Sequence, residues 1–163
     1  MIAKYRDDRR RKGFLLIELM AAVAIGLGIS LFLCPVCSLY EHYVARTQLL
    51  GAARELVTDL SALQQKALFS GSRERFGLAM TANRDGYDIL ERSLVVRNVT
   101  FSRGGLSTVE FSQNSPQMLY FGREGGPVVT GSKHYYYLSH KQYKDLAVRV
   151  AVQPVTGRVE ILE

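Results

Sequence analysis

From Leu19 to Tyr40 the chain runs for 22 residues without one charged side chain. Extending the run back to Phe14 admits a single charge, Glu18. About 20 apolar residues carry an α-helix across the hydrocarbon core of a bilayer. A helix apolar on every side that stays in water needs a large protein around it, and 163 residues make a small one. The run therefore predicts a transmembrane helix over 14–40. Arg9-Arg10-Arg11-Lys12 stand just before it. By the positive-inside rule they keep the leader in the cytoplasm and send the C-terminus outside.

A formal net charge of +6 would suggest a nucleic-acid or other anionic partner if it were spread over the chain. It is not. Lys4, Arg6, Arg9, Arg10, Arg11 and Lys12 precede Gly13, against Asp7 and Asp8, so the leader carries +4 and the remainder +2. Hydrophobic residues at 47 % and charged residues at 22 % exclude a disordered chain. The two cysteines, Cys34 and Cys37, both lie in the apolar run, which excludes a disulfide-stapled mini-fold. Structural zinc needs four ligands, and a thioredoxin-like pair belongs to a soluble βαβ unit. The pair reads instead as small apolar helix residues, with acylation the lesser reading. Asp85 and Asp88 flank a turn and read as solvated carboxylates. No Gly-x-Ser-x-Gly, His-Glu-x-x-His or Walker sequence is present. No enzyme activity, cofactor or metal is expected.

Glu18 is the exception within the apolar run. A carboxylate near the centre of a membrane helix costs about 2.5–3.5 kcal/mol, less toward an end, and marks a functional site by default. A secretory signal has a shorter apolar core, about 7–15 residues, followed by an Ala-x-Ala-like site, which is absent here. A plain anchor gives Glu18 no partner. The segment Lys12-Gly13-Phe14-Leu15-Leu16-Ile17-Glu18-Leu19 resembles the processing site of type IV prepilins and type II secretion pseudopilins. Basic residue, Gly, Phe and Glu stand at the family spacing ahead of an apolar helix; Leu15 departs from the commoner Thr or Ser.

The resemblance implies removal of residues 1–13 by a membrane prepilin peptidase, with cleavage between Gly13 and Phe14. Phe14 becomes the mature, N-methylated N-terminus. Glu18 neutralises the α-amine of a neighbouring subunit during filament assembly. A buried pair of this kind satisfies two otherwise orphaned charges and fixes register. The implied partners are other pilins or pseudopilins, an inner-membrane assembly platform and membrane lipid. The implied location is the bacterial inner membrane as a single pass, then the filament. Pro35 removes one helical hydrogen bond and kinks the helix. It reads equally as a bland membrane kink or as the proline at which pilin helices loosen. Gly26 and Gly28 lower rigidity or admit close helix approach.

Over 41–71 the pattern becomes amphipathic. Leu49, Ala53, Leu56, Val57, Leu60, Leu63 and Ala67 recur at helical spacing, with Arg46, Gln48, Arg54, Asp59, Gln65 and Lys66 between them. Ser70-Gly71 is the expected end. Either one helix continues from 14, or two are separated by a break near Pro35. From 72 to 163 the period turns to two. Strands are expected over 76–80, 87–90, 94–101 (Val95, Val99 and Phe101 apolar), 109–111, 118–121, 146–153 and 158–162. A hairpin turn is expected at Asn83-Arg84-Asp85-Gly86. The expected fold is α+β: a long N-terminal helix, transmembrane first and amphipathic second, packed on an antiparallel, hairpin-rich β domain.

Tyr120-Phe121-Gly122 and Thr156-Gly157-Arg158-Val159 resemble the H-type minor pseudopilins and related minor type IV pilins. A minor subunit, at the filament tip or in its initiation complex, is thus implied. The alternative is a DNA-binding minor pilin for natural transformation, with Arg158 and Lys133 as candidate contacts; Glu160, where DNA-binding relatives carry a second basic residue, argues against it. Tyr135 to Tyr137 beside Lys133 offer rings on which bases stack, but in a strand two of the three tyrosines share a face and cover core or edge. The Tyr135–Leu138 segment is expected at a sheet edge, open to strand addition or side-chain packing by a neighbouring subunit.

Overall fold

The amphipathic stripe is the spine of the fold. The computed structural model describes residues 3–70, 75–103, 106–129 and 134–162, without the side chains of 3–15, 32–36, 103, 106 and 129. One helix, α1 (Ala3–Phe69), covers both predicted helical segments, so the two-helix alternative does not hold. It ends where Ser70 N donates to Lys66 O, 2.9 Å. Two compact units divide the chain, Met1–His42 and Tyr43–Glu163.

In the second unit Ala45, Leu49, Ala53, Leu56, Leu60, Leu63 and Ala67 are all buried. Their spacing of three and four residues places them on one helix face. Each buried leucine contributes about 1.5–3 kcal/mol. Val57, at the border of the stripe, is half-buried.

The strands are β1 (Phe76–Met80), β2 (Gly86–Glu91), β3 (Leu94–Thr100), β4 (Ser102–Arg103), β5 (Leu106–Ser107), β6 (Val109–Phe111), β7 (Met118–Phe121), β8 (Pro127–Val129), β9 (Tyr135–His140), β10 (Ala147–Val152) and β11 (Val159–Leu162). They form an antiparallel five-stranded sheet β3-β2-β1-β7-β8, a four-stranded sheet β11-β10-β9-β6 and a small β4-β5 ribbon. Leu78, Tyr87 and Leu119 of the first sheet join Phe111, Tyr136, Leu138 and Val150 of the second in one core with the helix stripe. Val148, Val150 and Val152 point inward as their alternation requires, and Ala147 and Arg149 point out.

The hairpin turn expected at Asn83-Arg84-Asp85-Gly86 joins β1 to β2, with Arg84 as its left-handed residue, φ 58°. At Gly86 a Cβ would lie 2.1 Å from Val99 O across the β2–β3 ladder. Val95 is exposed, because a bulge where Leu90 pairs with Val95 and Ile89 with Arg97 breaks the alternation of β3. Only Val99 and Phe101 of that apolar set are buried. One expectation is corrected: Tyr135–Leu138 is no sheet edge. It belongs to β9, which lies between β10 and β6, and past the end of β6 Ser112 N donates to Tyr137 O while Tyr137 N donates to Ser115 Oγ. With both sides of the strand occupied there, strand addition has no free ladder to extend.

Two buried tyrosines have opposite fates. Tyr87 donates to Asp59 Oδ2 on the helix at 2.7 Å, and Arg97 approaches Asp59 Oδ1 at 3.5 Å, so helix and sheet are tied by a polar cluster at the border of the core. Tyr136 is fully buried beside Phe111, ring centroids 5.7 Å apart, and its hydroxyl has no hydrogen-bond partner among the described residues. Burial pushes its pKa well above the ordinary phenol value. An unmet buried hydroxyl costs about 1–3 kcal/mol. Tyr136→Phe should therefore stabilise the fold by an amount in that range, seen as a higher urea midpoint with unchanged slope. A lower midpoint would mean that the hydroxyl is hydrogen-bonded.

Candidate functional site

Glu18 is exposed on a helix that presents apolar side chains on all sides. Leu16, Ile17, Leu19 and Met20 around it are 60–68 % exposed, and Val23, Ile25, Leu27, Ile29 and Leu31 follow at 54–76 %. So much uncovered apolar surface marks an interaction face. A Cβ added at Gly26 or Gly28 meets nothing within 4 Å, so no contact within the chain requires those glycines. Among the described residues no helix is long and apolar enough to cross a membrane. The expected span 14–40 includes 14, 15 and 32–36, whose side chains lie outside the described residues. Gly13, Phe14, Cys34 and Pro35 fall under the same exclusion, and Lys133 lies outside the described residues altogether. Cys37 is exposed and free. No group of three His, Cys, Asp or Glu among the described residues is placed to hold a metal.

The Gly-Arg turn is a structural device. Gly157 N donates to Gln153 O at 2.9 Å and Gln153 N to Arg158 O at 2.8 Å, closing the β10–β11 hairpin. From the helix, Gln64 Nε2 donates to Thr156 O at 2.6 Å and to Gly125 O at 3.2 Å. One amide thus clamps two turns of the β domain onto α1. Arg158 is exposed, but its guanidinium lies 3.4 Å from Glu160 Oε1, which also accepts from Gln153 Nε2 at 2.8 Å. The Arg158 charge offered as a DNA contact thus has a carboxylate neighbour within its own hairpin. Asp85 and Asp88 are likewise used locally, accepting from Thr81 Oγ1 and Asn98 Nδ2.

His140 is buried, and its Nδ1 accepts from the backbone N–H of Gln142 and Tyr143, both at 3.3 Å. Burial lowers its pKa below the ordinary value. Its Nδ1 thus closes the turn that follows β9. A groove of about 600 Å³ beside the Lys66–Glu91 ion pair is lined also by Phe69, Ser70 and Leu94.

Sequence reasoning missed Gln64, Asp59 and Arg149. Gln64 and Asp59 were indistinguishable from other polar helix residues, because their partners are 92 and 28 positions away. Arg149 carried half a signal: its place in the alternation faced it outward, but nothing local paired it with the tyrosines of β9.

A long N-terminal helix whose second half is packed by two antiparallel sheets is the type IV pilin fold. Among solved structures the chain is similar to the type IV minor pilin FimU of Pseudomonas aeruginosa strain PAO1, with TM-score 0.56 and 16 % identity over 74 % of this chain and 92 % of that one. It is also similar to the minor pseudopilin EpsH from the type 2 secretion system of Vibrio cholerae, with TM-score 0.48 and 16 % identity over 71 % and 96 %. At such identity the FimU likeness is one of fold. No protein-family model and no curated protein matches the sequence.

Proposed function

We propose that the chain is a minor pilin or pseudopilin, a structural subunit of a type IV pilus or type II secretion pseudopilus. The observation that carries this reading is the unshielded apolar helix around Glu18, joined to a domain with the fold of a minor pilin. Removal of residues 1–13 leaves Phe14 as an N-methylated N-terminus, and the helix over 14–40 spans the inner membrane before assembly. Its length, its lack of charge apart from Glu18 and the basic leader support that placement. The outer domain contains no cysteine, which suits a low-abundance subunit at the tip or in the initiation complex better than a fibre's repeated subunit; disulfides often stabilise such exterior domains. A role in DNA uptake has no support from Arg158, whose charge is paired with Glu160.

Mass spectrometry of the membrane-extracted protein tests the reading. The expected chain begins at methylated Phe14. A mature chain that retains Met1, in cells whose prepilin peptidase processes a control substrate, would refute it.

A further inference from the structure

Among the described residues the two larger sheets end in four edge strands, and they are not equally guarded. β6 is engaged on its outer side, where Phe111 N donates to Arg84 O at 2.8 Å. β8 has three residues and opens with Pro127, which has no N–H to offer. β11 has four residues and carries Glu160. β3 has seven residues, and no described strand lies on its far side. Its Leu94, Val95 and Val96 are 70 %, 60 % and 59 % exposed in succession. The charge of β3, Arg97, is turned back onto Glu55 and Asp59 of the helix. Natural sheets blunt such edges with charge, proline, brevity or a bulge; here the bulge opposite Ile89 is the interruption.

Register decides which backbone groups this edge offers. Arg92 and Ser93, φ 55° and 68°, make a two-residue hairpin loop. Glu91 and Leu94 therefore bond to each other, and the next pair, Leu90 and Val95, does not. At the other end Phe101 N donates to Asp85 O at 2.7 Å. By alternation Val99 and Arg97 bond inward to β2, while Asn98 and Thr100 face out. The N–H and C=O groups of Val95, Asn98 and Thr100 thus point away from the sheet. Beside them Leu94 and Val96 line the groove with Phe69, itself 86 % exposed.

We propose that β3 accepts an extended, uncharged segment of another protein as a sixth strand, with alternate apolar side chains seated on Leu94, Val96 and Phe69. The open ladder selects the occupant's backbone, because a row of N–H and C=O groups is matched by another strand and not by lipid or nucleic acid. The side chains select its character: Arg97 is paired with the helix, and Asn98 Nδ2 donates to Asp88 Oδ1 at 2.6 Å, which leaves apolar surface as the contact. A second copy fits less well, since its β2–β3 hairpin would bring Arg92 and Arg97 to that surface. The inference stands on the second unit alone and is independent of the pilin reading.

Isotope-labelled full-length protein in nonionic detergent is followed by NMR as a capped Ser-Thr-Val-Thr-Val-Thr-Ser peptide is added. Before addition, the amides of Val95, Asn98 and Thr100 should exchange with solvent about a hundredfold faster than those of Arg97 and Val99. The peptide should slow those three amides and bind with a Kd of about 1 mM or tighter. A twin peptide N-methylated at every central residue keeps the side chains but loses the donors, and should bind about tenfold more weakly or worse. Val95→Pro, and Val95→Lys as the variant that keeps the N–H, should each weaken the peptide about tenfold with the near-UV circular dichroism unchanged. Val155→Lys, at an exposed valine of the β10–β11 turn, should stay within about twofold. The inference fails if the three amides are already protected, if the peptide does not bind, or if its N-methylated twin binds as tightly. It fails if Val95→Pro and Val95→Lys bind like wild type, or if Val155→Lys weakens binding equally. It fails also, in favour of a second copy, if the chain alone sediments as a dimer that Val95→Lys dissociates.

Discussion

Glu18→Gln should leave the protein inserted and cleaved yet nearly absent from filaments. On the proposed reading the partner of Glu18 is itself a charge, the α-amine freed at Phe14 of a neighbouring subunit, so the expected effect is large. Breaking a buried ion pair on one side costs about 3–5 kcal/mol, since the other charge stays buried and unanswered. That is about two to three and a half orders of magnitude in subunit affinity. The described surroundings of Glu18, Leu16 to Met20, are apolar and uncovered, so a packed neighbour would bring little water to replace the missing carboxylate. Glu18→Asp should recover only part of the loss, the carboxylate being one methylene short. Quantitative proteomics of sheared filaments, normalised to membrane levels, reads the effect; Glu18→Gln at wild-type abundance in filaments would remove Glu18 from assembly.

Gly157→Ala should be the most damaging single-methyl change in the β domain. Its φ of 69° lies in the left-handed region, and an added Cβ would lie 2.1 Å from Gly125 O and 2.6 Å from Gln64 Nε2. The conformation costs about 1–2 kcal/mol for a residue with a Cβ, and overpacking against backbone adds about 1–3 kcal/mol. Moving away would also pull Thr156 O from Gln64, loosening the clamp between helix and hairpin. The sum, about 2–5 kcal/mol, is a large share of the about 5–15 kcal/mol by which domains are stable. Gly126 is the control. Its φ is not positive and an added Cβ would first meet Val155 O at 3.3 Å, so Gly126→Ala should cost about 1 kcal/mol or less. The chain lacks tryptophan, so urea unfolding is best followed by the near-UV circular dichroism of its tyrosines. Equal midpoints for the two variants would show that the Gly157 turn relaxes freely.

By itself the sequence determined the helix stripe and most of the strands, though not β4, β5 or β8. A 3.6-residue period named Leu49, Ala53, Leu56, Val57, Leu60, Leu63 and Ala67 as a helix face, and all but the half-buried Val57 are buried. Alternation located β1, β6 and β7 to the residue and aimed Val148, Val150 and Val152 inward. These signals are local, because side-chain direction follows from backbone period alone. Which strand neighbours which was decided only by the tertiary structure. Tyr135–Leu138 looked like a free edge and is interior, and a bulge leaves the apolar Val95 exposed. Register and bulges depend on the partner strand, and no periodicity within one strand encodes its partner. The same reason hid the clamp of Gln64 on Thr156 and Gly125, the reach of Tyr87 to Asp59, and the placing of Arg149 against Tyr135 and Tyr137. Each joins residues on different elements, and only the packed chain brings them together.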